Sequence, residues 1–446
     1  MLPNDFKERM KQLLGDEYES FISAEESTPQ KAIRVNIGKI SAEDFFSSFP
    51  FEHEKIPYCT DGYYVKTDAD DKLGNLPRHH AGAFYVQEPS AMMPVCAAEI
   101  KEDSLVLDMC ASPGGKTSQA ASVKGVTVVS NEIVSSRAVV LMGNNERMGF
   151  KNTIVTNTDS KTISEWFPGV FDTVICDAPC SGEGMFRKNI DACDEWSYEN
   201  VLMCASRQEE ILDNAAKAVR GGGTLVYSTC TFSKEENEDV VKKFLEKNGD
   251  FELVSVSDAV RNATSDGIEM AEARRFYPHK SRGEGQFAAV FKRNGEPCPV
   301  FSYKDSAILP LKAEMKIITD FLSDLFDTIP SGRIIKIGST FFLSPNIPIP
   351  PHSVFCAGVK IGEIEKNRLV PHHQLFSAYG NIMKRRLDLP SSSIDIKKYI
   401  GGNVIPADLP NGYAAILCDG CALGGGKVVD GTMKNHYPKG LRKNLT

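Results

Sequence analysis

Ser104-Leu-Val-Leu-Asp-Met-Cys-Ala-Ser-Pro-Gly-Gly-Lys-Thr117 carries an apolar run into a glycine-rich turn, and then into a helix predicted to begin near Lys116. Glycines let a ligand approach the backbone closely, and a helix N-terminus favours an anionic group. The stretch is neither of two common nucleotide loops. A P-loop needs glycine where Cys110 stands, and the Gly-x-Gly-x-x-Gly fingerprint of dinucleotide sites is absent. A bare glycine turn of this kind can equally be structural.

Similar runs follow along the chain: Gly125 to Glu132, Asn152 to Asp159, Phe171 to Asp177 and Gly223 to Cys230. Short Val- and Ile-rich runs separated by helical stretches predict a doubly wound α/β sheet, in which ligands sit beyond the carboxyl ends of the strands. These runs close on a polar or reactive residue: Cys110, Glu132, Asp159, Asp177 or Cys230. Glu132, after the second run, is placed to accept hydrogen bonds from both hydroxyls of a ribose. Asp159, after the third, could accept from an adenine amino group. Either acid alone is more often a solvated strand end or a helix cap. Together with the glycine turn they fit an adenosine-bearing ligand whose other end is small and charged, which describes S-adenosylmethionine.

Two cysteines lie just past neighbouring strand ends, in Asp177-Ala-Pro-Cys-Ser-Gly182 and in Ser228-Thr-Cys-Thr231. Free cysteines often serve as small buried hydrophobes. Zinc is disfavoured: Cys176, Cys180 and Cys193 form no paired Cys-x-x-Cys set, and Cys418-Asp-Gly-Cys421 stands in another region. No metal site is therefore expected. Cytosine chemistry offers a sharper account. Carbon 5 of cytosine is a poor nucleophile until a thiolate adds to carbon 6. An acid near ring nitrogen 3 assists that addition, and a base must later remove the proton from carbon 5. Cys230, Cys180 and Asp177 supply this inventory.

With these residues in view, the chain resembles the Nop/Sun (Fmu-type) RNA cytosine-5 methyltransferases over about residues 30 to 295. The markers are Arg34-Val-Asn36, Tyr85-Val-Gln-Glu-Pro-Ser-Ala-Met92, Asp108 through Thr117, Asp177-Ala-Pro-Cys-Ser-Gly-Glu-Gly184 and Ser228-Thr-Cys-Thr231. The resemblance implies Cys230 as nucleophile, Cys180 as the cysteine of product release, and Asp177 at the methyl-transfer site. It implies a cofactor site for S-adenosylmethionine built from Cys110, Ala111, Ser112, Pro113, Gly114, Gly115, Lys116, Glu132, Asp159 and Asp177. Lys188 stands where the family keeps a basic residue near the pocket; a solvated lysine is the alternative. The loop reads Cys-Ala-Ser-Pro where Cys-Ala-Ala-Pro is commoner.

Outside the core, the short N-terminal stretch, Gly362 through Pro371 and Gly424 through Arg442 are similar to the RsmF-like group, which methylates small-subunit (16S) rRNA. The implied architecture is a class I (Rossmann-like) methyltransferase sheet with a small α+β N-terminal module and a β-rich, PUA-like C-terminal region. The expected boundaries are 1–95 for an N-terminal RNA-binding module and 96–295 for the methyltransferase domain. An intermediate module is expected at 300–378 and a PUA-like domain at 379–446, with residues 296–300 as linker. Two other readings stay open: a tRNA cytosine-5 methyltransferase, and a non-catalytic RNA-binding assembly factor.

The 446 residues hold 51 Lys plus Arg against 59 Asp plus Glu, a net charge of −8, which argues against a wholly basic nucleic-acid binder. Local basic segments are then the expected RNA contacts: Arg274-Arg275, Lys384-Arg385-Arg386, and the tail with Lys434, His436, Lys439, Arg442 and Lys443, where Tyr437 is a candidate stacking platform. The expected partner is 16S rRNA or the small ribosomal subunit. With no secretory signal, no apolar run long enough for a membrane span and twelve unpatterned cysteines, a reduced, cytoplasmic enzyme is expected.

Overall fold

A computed structural model describes residues 2–68, 72–188, 190–297 and 301–445, so the linker expected at 296–300 lies partly outside the described residues. The apolar runs form strands buried on both faces, as central parallel strands must be. They are β1 (Leu105–Asp108), β2 (Thr127–Asn131), β3 (Thr153–Thr156), β4 (Phe171–Asp177) and β5 (Val219–Thr229). The connecting helices are α1 (Gly115–Ala121), α2 (Ser135–Met148), α3 (Ser160–Trp166) and α4 (Tyr198–Ala218). Two later strands, β6 (Met270–Phe276) and β7 (Gln286–Arg293), extend the order to β3-β2-β1-β4-β5-β7-β6, with β1 to β5 parallel and β7 antiparallel to β5 and β6. The chain therefore winds outward from β1 to β3 and crosses back to β4. The switch point falls between β1 and β4, the position where such sheets bind ligands.

The largest core cluster lies along β4, β5 and α4, where Phe171, Val174, Leu212, Ala215 and Leu225 are fully buried. The helix ends are locally encoded. The Ser197 side chain accepts from the Asn200 N–H at the start of α4, and Gly149, at φ +74°, closes α2 in the left-handed region that favours glycine.

The N-terminal segment pairs helices Asn4–Leu14 and Tyr18–Glu25 with a four-stranded antiparallel sheet. Phe6 and Met10, one turn apart, pack against Phe186, Trp196 and Phe232 beside the loops that follow β4 and β5. The Arg34 guanidinium is 1% exposed and is shared among Asp61, Gln87, Ser118 and the Gly115 carbonyl. The Asn36 amide donates to the carbonyls of Gly82 and Met148. The Arg34-Val-Asn36 marker is thus a clamp between the N-terminal segment and the central sheet.

The central sheet does not stop near residue 295. Strand β8 (Val354–Ala357), from the C-terminal region, pairs antiparallel with the outer edge of β3. Around it the chain forms a four-stranded antiparallel sheet spanning Arg333 to Pro371 and, last, a five-stranded mixed sheet. The last sheet and the helix Ile394–Ile400 pack onto the N-terminal segment, with Ile396 and Tyr399 of the helix and Ile416 and Leu423 of the sheet in one cluster with Phe45 and Phe84. Arg78 pairs with Asp419 at 2.6 Å. Gly425 sits so close to Phe376 that a Cβ would lie 2.2 Å from its ring. Among the described residues no helix is long and apolar enough to cross a membrane.

Three expectations for RNA contact are overturned. Arg274 and Arg275 are 3% and 2% exposed and pair with Asp266 and Glu238. Tyr437 is 2% exposed, and its hydroxyl meets His80 Nδ1 at 2.9 Å inside the interface between the two chain ends. Buried guanidiniums need partners and a buried ring cannot stack on a base, so none of the three faces nucleic acid. Lys384, Arg386, Lys434, His436, Lys439 and Lys443 are exposed, whereas Arg385 and Arg442 are half-buried against neighbouring backbone.

Candidate active site

Three strand ends converge at the switch point. β1 delivers the turn from Cys110 to Gly115. Gly114 takes φ +108°, so its place favours glycine, and the side chain of Lys116 turns inward from α1. The Lys116 ammonium lies 2.7 Å from Asp177 Oδ2, at the end of β4. Burial opposes its charge, but the Asp177 carboxylate outweighs burial and holds Lys116 above its ordinary pKa. Asp177 Oδ1 accepts from Ser228 Oγ at 2.6 Å and from Gln286 Nε2 at 3.4 Å. The carboxylate is thereby fixed from α1, β5 and β7 at once.

Beyond Asp177, the loops after β4 and β5 bring the two predicted cysteines together. Cys180 Sγ lies 3.2 Å from Cys230 Sγ and accepts the Cys230 backbone N–H at 3.3 Å. Both are partly exposed free thiols. The Cys180 thiol is pushed well up by its contact with Cys230 first and by burial second. The contact sets the two sulfurs within a single hydrogen bond in which either can donate.

The adenosine-side candidates are arranged less uniformly. Glu132 is 2% exposed; its Oε1 accepts from the Val134 N–H, and its Oε2 lies 3.6 Å from Arg137. Asp159 is exposed and caps α3, accepting from the Thr162 N–H and hydroxyl. Burial works against its charge, but the Thr162 donors hold it below the usual carboxylate range. Ser112 and Arg137 exchange hydrogen bonds between the turn and α2, so the unusual serine is used as a brace. Burial keeps the Cys110 thiol well above its ordinary value. Lys188 lies 3.4 Å from Glu284 Oε1, and Glu284 also binds Arg187.

Sequence reading passed over several residues of this site. Ser228, Gln286, Glu183 and Glu236 contact the proposed reactive groups or the loops that carry them. An acid close behind each candidate cysteine, Glu183 after Cys180 and Glu236 after Cys230, was the available signal. Asp108 is also buried; its Oδ1 lacks a hydrogen-bond partner, and burial raises its carboxyl to about 7.

The chain has clear relatives. Residues 95–292 match the family described as 16S rRNA methyltransferase RsmB/F, residues 2–89 the N-terminal domain of 16S rRNA methyltransferase RsmF, and residues 386–443 the methyltransferase RsmF PUA domain. A ribosomal RNA small subunit methyltransferase F of Vibrio vulnificus is 33% identical over 100% of this chain and 98% of its own length. The chain belongs to the ribosomal RNA small subunit methyltransferase F family. A second member, from Klebsiella pneumoniae, is 32% identical over 95% of this chain and 92% of its own.

Solved structures agree with this family's fold. A methyltransferase homologue from Pyrococcus horikoshii is 28% identical, covers 65% of this chain and 94% of its own, and superposes with a TM-score of 0.54. NSun6 from the same organism, solved with SFG, is 24% identical over 66% and 99%, with a TM-score of 0.59, and bears on the fold alone. The fold is a Rossmann-like methyltransferase sheet with an N-terminal module and a C-terminal PUA domain.

Proposed function

We propose that the protein transfers a methyl group from S-adenosylmethionine to carbon 5 of cytosine in 16S rRNA, in the cytoplasm, through a covalent bond from Cys230. One observation carries the reading: two partly exposed thiols 3.2 Å apart stand beside a carboxylate–lysine pair at the switch point. Full-length kinship with small subunit methyltransferases F supports 16S rRNA as the RNA class.

The residues present fit S-adenosylmethionine. Arg137 is too far from Glu132 Oε2 to hydrogen-bond it, so this oxygen is free to accept from ribose hydroxyls. The turn from Cys110 through Lys116 approaches with little side-chain bulk, and Asp177 sets a negative charge where a sulfonium would lie. Asp159 would have to share its carboxylate between the α3 cap and an adenine amino group. When bound, the cofactor supplies an electrophilic methyl on a positively charged sulfur.

Cys230 adds as thiolate to carbon 6, and the Asp177–Lys116 pair provides the proton or hydrogen bond that ring nitrogen 3 gains. Carbon 5, now enamine-like, takes the methyl group. Cys180, 3.2 Å from the Cys230 sulfur, is then beside the adduct. Cys180 can then lose its proton to solvent and take the proton from carbon 5. The carbon 5–carbon 6 double bond re-forms as Cys230 leaves as thiolate, and ring nitrogen 3 returns the proton it gained to the Asp177–Lys116 pair. The base must leave its stack to reach these thiols. Lys188 and the exposed Lys384, Arg386, Lys434, Lys439 and Lys443 are the proposed phosphate contacts.

Bisulfite sequencing of rRNA and tRNA from cells with and without the gene tests the reading. At least one cytosine of 16S rRNA should lose its protection when the gene is removed. Loss confined to tRNA would overturn the RNA class, and no loss at all would overturn the activity.

A further inference from the structure

Two buried carboxylates cross between the cysteine loops in opposite directions. Glu183 belongs to the Cys180 loop. It accepts from the Cys230 loop: the Thr231 hydroxyl at 2.8 Å, the Phe232 N–H at 2.9 Å and the Ser233 hydroxyl at 2.7 Å, with Trp196 Nε1 added at 3.0 Å. Glu236 belongs to the Cys230 side. It accepts from the Cys180 loop: the Ser181 N–H at 2.9 Å and the Ser181 hydroxyl, with Gln208 Nε2 added at 2.8 Å. Between them, Ser181 Oγ meets Thr231 Oγ1 at 2.9 Å. Glu183 and Glu236 are 2% and 0% exposed. Neither has a basic side chain within ion-pair distance among the described residues. Charge stabilisation is thus a poor explanation for keeping two acids here, because each is costly to bury and each spends its oxygens on the opposite loop.

We propose that Glu183 and Glu236 are reciprocal positioning residues that hold the Cys180 and Cys230 thiols in register. Its effect on methyl transfer rests on the function proposed above; its effect on the thiol geometry does not. The two acids are not equivalent. Both oxygens of Glu183 face an N–H donor, Phe232 on one and Trp196 on the other, so an amide at this position sets N–H against N–H whichever way it turns. At Glu236 one oxygen meets only the Ser181 hydroxyl, which can accept as well as donate. A glutamine fits there with its carbonyl toward Ser181 N–H and Gln208.

The test is the rate at which diamide oxidises the Cys180–Cys230 pair, followed by mass spectrometry, alongside methyl transfer to 16S rRNA. Each disulfide formed releases two protons and two electrons, which reduce one diamide to its hydrazine. Glu183→Gln should slow both cross-linking and methyl transfer at least tenfold, with cofactor affinity held within about twofold. Glu236→Gln should slow each less than threefold. If Glu183→Gln proves unable to fold, Thr231→Val, which removes the hydroxyl joining the two clamps, should still slow cross-linking several-fold. Cross-linking of Glu183→Gln or Thr231→Val at the parent rate would overturn the clamp. Slowed cross-linking in a chain that transfers no methyl group at all would instead overturn the proposed activity and leave the clamp standing.

Discussion

Lys116 Nζ and Asp177 Oδ2 lie 2.7 Å apart, joining the glycine-rich turn after β1 to the end of β4 across the switch point. Because this bond spans the two halves of the sheet, the proposed cofactor turn and the proposed base-binding carboxylate share one charge pair. Changing Lys116 should therefore disturb both. Lys116→Met leaves the Asp177 carboxylate without its cation, and methyl transfer should fall about 10²-fold, the scale of losing one preorganised donor. Single-turnover kinetics on 16S rRNA measures this. A change below threefold would remove Lys116 from the mechanism.

Asp108 makes the fold sensitive to pH. Burial raises its carboxyl from 3.8 to about 7, despite the Thr117 hydroxyl and nearby Lys116, while Asp177 adds to the rise. The protonated form is the one the fold favours. Its stabilisation is complete below about pH 4 and is lost as pH rises through 7. Asp108→Asn keeps an acceptor for Thr117 and cannot ionise. Its melting temperature should fall less than that of the parent between pH 5 and 8.5. Parallel curves would show that Asp108 does not titrate in this window.

Arg34 binds the N-terminal segment to α1 through buried partners, including Asp61, which is 6% exposed. Arg34→Met leaves that carboxylate buried without its cation, at a cost of about 3–5 kcal/mol. A urea titration should show the loss as a lower midpoint. Arg34→Lys should recover only part of it, since an ammonium cannot fork across Gln87, Asp61 and Ser118.

The pairing of β8 with β3 has its own consequence. A chain cut at residue 295 exposes the β3 edge, and bare strand edges invite pairing with other chains. Sedimentation should show self-association of the cut chain. A stable, monodisperse product would mean that β8 is dispensable.

Much of the central sheet was legible in advance, because parallel strands buried on both faces appear as short Val- and Ile-rich runs such as Phe171–Asp177, and because polar residues stop them at the ligand side. Cys180, Cys230 and Asp177 could be singled out from the motifs that surround them. Burial could not be read the same way. Arg274, Arg275 and Tyr437 looked like an RNA surface in a one-dimensional count of charge and rings, but the fold turns all three inward. Asp159 could be read either as an adenine acceptor or as a helix cap, and it does cap α3. Glu183 and Glu236 were missed because their partners are mostly backbone and hydroxyl donors brought together only by the crossing of two loops.

The covalent step is tested most directly by incubating the Cys180→Ala chain with 16S rRNA and S-adenosylmethionine and resolving the products on a denaturing gel. With Cys230 as nucleophile and Cys180 as the base of release, the methylated base should stay attached. A protein–RNA band should survive denaturation and map to Cys230, and it should vanish when Cys230→Ala is added. A Cys180→Ala chain that turns over normally, or an adduct that persists without Cys230, would contradict it.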